Sequence, residues 1–226
     1  MDEIIIEPEK IIKAYIGIKP YADAVLARMN EPGLHSKNIT KCFLPAEEYF
    51  KAFCTFSSLF GCADNVTPKQ MAESNAFKFE SPIIANNFLV YIRNNSFSVA
   101  FPAYFHELGH IATSSFTKRK DVEKHSRLIL AEMLADSFES WACEEFNNIS
   151  KNFKFENQLY LLCYRVESQK DAETADYRSN AAMESDRRLL KFYEKKKPKT
   201  FGNLYKILSS EVRAQQNITS LDFLIA

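Results

Sequence analysis

The sequence is poor in turn formers, with only 5 Gly and 8 Pro in 226 residues. A chain of many tight hairpins needs more of both, so the scarcity argues against an all-β fold. No apolar run approaches the roughly 18 residues a membrane-spanning helix requires. Net charge is also missing: Lys+Arg and Asp+Glu both count 29. No global field therefore draws the chain to nucleic acid or to an anionic membrane, and neither partner is expected. The five cysteines, Cys42, Cys54, Cys62, Cys143 and Cys163, form no CxxC pair and leave one over. That pattern fits reduced thiols better than a disulfide framework. No internal repeat and no low-complexity segment is visible.

What is present is ordinary for a globular protein: 46% hydrophobic and 26% charged residues. The length suits one sizeable core, read here as a single domain over 1–226. The first residues, Met1 to Pro8, are acidic where a secretory signal is basic, and their apolar stretch is Ile4-Ile5-Ile6. A cytoplasmic location is expected, and delivery as a secreted effector is compatible with it. The run Lys195-Lys196-Lys197-Pro198-Lys199 reads as the solvated end of a helix, where cations suit the dipole.

The predicted class is α+β, mainly helical. Residues 1–75 form a helical N-terminal part. Ile11, Ile12, Tyr15 and Ile16 recur at helical spacing, and Ala22, Val25, Leu26 and Met29 continue it past Pro20. Glu31-Pro32-Gly33 is a turn, and Pro45 opens a second helix. Residues 76–147 form the central part. Phe77 to Glu80 alternates as a strand, and Phe88 to Ile92 reads as a more buried one. A helix is expected from Pro102 to about Ser114, and a long one from about Val122 to Asn147. The centre of the long helix, Leu128 to Asp136, is apolar on nearly every side, so it should be buried. Residues 148–226 form a helical C-terminal part, with helices expected over 155–167, 171–197 and 204–212.

Within the central part, residues 106–110 read His106-Glu107-Leu108-Gly109-His110. This is HExxH on a predicted helix, and at this composition chance supplies below about 0.01 such windows per chain. Residues i and i+4 share a helix face, so both imidazoles can meet one ion while Glu107 is placed for a water. Phe105, Leu108 and Ala112 fall on another face and can hold the helix to the core. Gly109 costs roughly 1 kcal/mol in a helix interior. Close approach of another backbone would offset that cost.

A catalytic zinc with two imidazoles needs a third protein ligand and an open position. Glu132 and Asp136 lie i, i+4 inside an otherwise apolar stretch that has no basic residue between Leu128 and Cys143. Burying carboxylates costs several kcal/mol unless they are paired or bound to metal. Glu132 is the expected ligand. Asp136, one turn on, can accept the other N–H of a ligand histidine and fix its tautomer. His125, seven residues before Glu132, is a rival third ligand.

The combination resembles the gluzincin branch of the zincin metallopeptidases, which pair HExxH on one helix with ExxxD on a second. Here that pattern is Glu132-Met133-Leu134-Ala135-Asp136, beginning 22 residues after His110. The resemblance covers about residues 76–147. It implies Zn2+ held by His106, His110 and Glu132, with Glu107 as general base and Asp136 behind a ligand. It also implies an edge strand before the active-site helix, for which Phe88 to Ile92 can stand. The substrate would be a protein or peptide in extended form. A second oxyanion donor is a Tyr, His or Arg in thermolysin-like members; Tyr104, His125, Tyr177 and Arg178 are candidates. The metzincin pattern is absent, because Thr113 and Phe116 stand where it needs Gly and His. The alternative function is a regulatory or partner-binding protein on a peptidase-like scaffold with a latent or blocked site. Oligomeric state is not legible.

Overall fold

The computed structural model describes residues 8–60, 74–81, 83–117, 119–169 and 180–225. Helix α1 (Pro8–Met29) runs through Pro20 and buries Ile18, Ala22, Val25 and Met29. A single turn, α2 (Pro32–His35), follows, with the Glu31 carboxylate accepting from the Gly33 amide at 3.1 Å. A Cβ on Gly33 would lie 2.4 Å from the Ala112 carbonyl oxygen, so only glycine lets this turn close on the end of the motif helix.

The N-terminal part also holds a strand that helical periodicity does not reveal, β1 (Asn38–Leu44). Helix α3 (Ala46–Phe60) starts just after Pro45, as expected. Strands β2 (Ala76–Glu80) and β3 (Asn87–Arg93) form an antiparallel hairpin, and β1 joins β3 in parallel. The order β1-β3-β2 makes Phe88 to Ile92 the central strand, not the edge strand of the sequence expectation. The burial pattern gives the reason. Phe88, Val90 and Ile92 point into the main core, while Tyr91 packs with Leu44, Tyr49 and Ala52 under α3. A strand buried on both faces belongs inside a sheet. The edge beside the motif helix is β2 instead.

Helix α4 (Phe97–Ala112) carries the motif and begins five residues before Pro102, which lies inside it. The proline cannot supply the helical hydrogen bond back to Ser98. A short helix, α5 (Ser114–Thr117), follows α4. Helix α6 (Lys124–Ile149) is the central element, packed against α1, α4 and the C-terminal helices. Met133, Leu134, Ala135 and Phe138 are fully buried, as expected; Leu128 at its start is half exposed.

Helices α7 (Gln158–Ser168), α8 (Asn180–Lys196), α9 (Phe201–Ala214) and α10 (Asp222–Ile225) complete the chain. Glu144 of α6 accepts from the Phe201 amide at 2.8 Å, placing a carboxylate at the positive end of α9. One hydrophobic cluster runs from Ile18 to Leu224. The architecture is thus mainly helical around a small three-stranded sheet. Among the described residues, no helix is long and apolar enough to cross a membrane. Cys42, Cys143 and Cys163 are free thiols, and Cys62 lies outside the described residues.

Candidate metal centre

Helices α4 and α6 cross where Gly109 meets Ala135. A Cβ on Gly109 would lie 2.8 Å from the Ala135 Cα and 2.9 Å from the Phe138 Cβ. The glycine therefore lets two backbones touch beside the histidines, which is the compensation expected from the sequence. Phe105, Leu108 and Ala112 face the core behind it. Gly109→Ala gains about 1 kcal/mol of helix propensity. It forces overpacking that typically costs 1–3 kcal/mol, and more here because the obstacle is backbone. A net loss of about 2 kcal/mol, or roughly 4–8 °C in Tm, is expected in a thermal melt. An unchanged Tm would mean the helices can separate freely.

The close crossing brings the side chains of both helices together. The His106 and His110 rings stand edge to face, with centroids 4.8 Å apart. Glu132 reaches both: one carboxylate oxygen lies 3.5 Å from Nε2 of His106, the other 3.6 Å from Nε2 of His110. One ligand atom from each of the three residues falls within 4.8 Å of the others, so the group could hold a metal ion. On the far side of the His106 ring, Nδ1 lies 3.3 Å from Asp136 and 3.3 Å from Glu139. Asp136 thus occupies the place expected of it. Glu139 was not foreseen. It stands seven residues from Glu132, on the same helical stripe, and that spacing was the available signal.

Charge follows from this crowding. Burial favours the neutral form of both imidazoles. At His106, hydrogen bonds to Asp136, Glu132 and Glu139 outweigh burial and hold the group well above the usual histidine range. At His110 burial outweighs the Glu132 charge, and the group lies below that range. Burial pushes Glu132 up, but His110 and His106 prevail and hold it below the usual carboxylate range.

Glu107 opens onto a cavity of about 420 Å³ with His106, Glu139, Pro102 and the segment Ser74 to Ala76 that leads into β2. Ser74 ties this wall to α3: its hydroxyl lies 2.9 Å from the Tyr49 phenol and donates to the Ala76 carbonyl at 2.8 Å.

Of the remaining candidates, His125 and Tyr104 do not join the cluster. His125 lines a separate cavity with Ser126, Glu184, Arg187 and Arg188. Tyr104 lines another, under the Lys41 ammonium. Tyr177 and Arg178 lie outside the described residues. Arg165 on α7 also escaped the sequence reading. Burial works against its charge, but Asp136, Asp186 and Glu139 keep the guanidinium protonated. No family model, no curated protein and no solved structure matches this chain.

Proposed function

We propose that this chain is a zinc-dependent peptidase that hydrolyses a peptide bond in a protein or peptide substrate. The observation that carries the reading is the convergence of His106, His110 and Glu132 beside a cavity onto which Glu107 opens. Tetrahedral zinc at ordinary N and O bond lengths sets its ligand atoms about 3.3 Å apart. The separations of 3.5 and 3.6 Å from Glu132 to the two Nε2 atoms lie close to that value. They are longer than good N–H···O hydrogen bonds. The donor set also suits zinc, with two imidazole nitrogens and one carboxylate.

Zinc, when bound, contributes Lewis acidity that acidifies a water and polarises a carbonyl. The chain supplies the rest. His106, His110 and Glu132 would hold the ion. Asp136 accepts the Nδ1–H of His106, which fixes the tautomer with Nε2 free. Glu107 takes the proton from the attacking water and passes it to the leaving amine. The chain entering β2, Ser74 to Ala76 at the cavity wall, would offer main-chain groups to an extended peptide. The gluzincin resemblance of residues 76–147 supports the same assignment by analogy.

The reading is tested by profiling new N-termini in a proteome digest incubated with the zinc-loaded protein. Termini that appear, and vanish with a chelator, are expected. A digest without any chelator-sensitive terminus would remove the peptidase reading.

A further inference from the structure

The face of α6 that meets the histidines carries a single sign of charge. Glu132, Asp136 and Glu139 all reach within 3.6 Å of an imidazole nitrogen. Only 5% of the Asp136 side chain is exposed, so water screens it little. His106 has one Nδ1–H for two carboxylates, and the histidines do not decide which of them receives it.

The C-terminal helices supply the asymmetry. Ser185 of α8 is fully buried and donates its hydroxyl to Oδ2 of Asp136 at 3.4 Å, while Oδ1 turns to Nδ1 of His106. The next residue, Asp186, is also fully buried and is gripped from α7. Arg165 Nε donates to its Oδ1 at 3.0 Å, and Gln169 Nε2 donates to its Oδ2 at 2.8 Å. These bonds tie α8 to α7 and thereby set where Ser185 stands. The charges of Asp136 and Glu139 also act on Arg165, so it brings a counter-charge into their neighbourhood from another element. Glu139 lines the open cavity instead, on the Glu107 side.

We propose that Ser185 and Arg165 are positioning residues of the metal centre, holding Asp136 on Nδ1 of His106 and so keeping Nε2 free for an ion. This rests on reading His106, His110 and Glu132 as the metal ligands. It makes the α7–α8 pair a working part of the site as well as packing. A buried polar network of this kind fixes one geometry when its members are all satisfied.

Zinc affinity of the full-length chain, measured by competition with a chromophoric chelator, tests the proposal in wild type, S185A, D136N and the double variant. S185A removes one hydroxyl and should weaken zinc roughly tenfold, the scale of outer-shell changes. D136N should weaken it further. The double variant should match D136N alone, because Ser185 acts through Asp136. Wild-type affinity in S185A, or losses that add, would overturn the proposal. R165K keeps the charge but loses the guanidinium geometry, and a several-fold loss is expected. Wild-type affinity in R165K would remove Arg165 from the assignment. The His106 ring resonances of the metal-free chain give a second readout. Its Nδ1–H signal should move in S185A, and an unmoved signal would also overturn the proposal. If the wild type binds no zinc, the metal reading fails while the ring spectrum still decides the positioning.

Discussion

Glu107→Gln should leave zinc bound at the wild-type level and slow peptide hydrolysis by roughly 10²–10⁴-fold, the usual contribution of a positioned general base. The substitution keeps size and shape and removes only the ability to take a proton. Glu107 lines the cavity next to His106 but is not one of the residues grouped around a metal position, so the change should not reach the ligands. Cleavage is followed on a substrate found by terminal profiling, and zinc by elemental analysis of the same sample. A variant that cleaves at the wild-type rate would show that the proton goes elsewhere. A variant that loses its zinc would make Glu107 a ligand and require a different mechanism.

Glu132→Ala should abolish stoichiometric zinc binding, with a loss well beyond the roughly 10–100-fold of outer-shell changes. The reason is geometric: Glu132 is the only residue placed to reach Nε2 of both His106 and His110 in the described cluster. Thermal melts give an independent view. A ligand that binds only the native state at 100 times its Kd stabilises by about 2.7 kcal/mol. For a chain of this size that is a rise of roughly 5–10 °C in Tm. Wild type should show the rise on adding zinc, and Glu132→Ala should not. An equal zinc-induced rise in both proteins would place the third ligand on another residue.

The site was legible to different depths in its different members. That His106 and His110 share one helix face, and Glu132 and Asp136 another, follows from i, i+4 spacing; that the two faces would meet was expected from the need of buried carboxylates for a cation and from the gluzincin resemblance. The burial of α6 follows as well, since its apolar residues leave no wet face at its centre. Gly109 was readable as a close approach because glycine inside a helix has a cost that something must offset. The strand β1 was not readable. Residues 38–44, Asn-Ile-Thr-Lys-Cys-Phe-Leu, show no clean alternation, and the strand exists because β3 offers a parallel edge to pair with. The same pairing turned Phe88 to Ile92 from an edge strand into the sheet's centre.

By itself, the order of residues determined which side chains on one helix share a face, and hence the chemistry of the candidate site: two imidazoles, a neighbouring carboxylate, and a second acidic pair one helix away. Helical geometry is local, and local geometry is written in spacing. The folded chain alone decided what faces that chemistry from a distance. It set β2 at the cavity wall, brought Glu139 to His106, sent His125 to another cavity, and placed Arg165, Ser185 and Asp186 behind Asp136. Those contacts join segments tens of residues apart, and their partners are chosen by the packing of one common core rather than by any spacing along the chain.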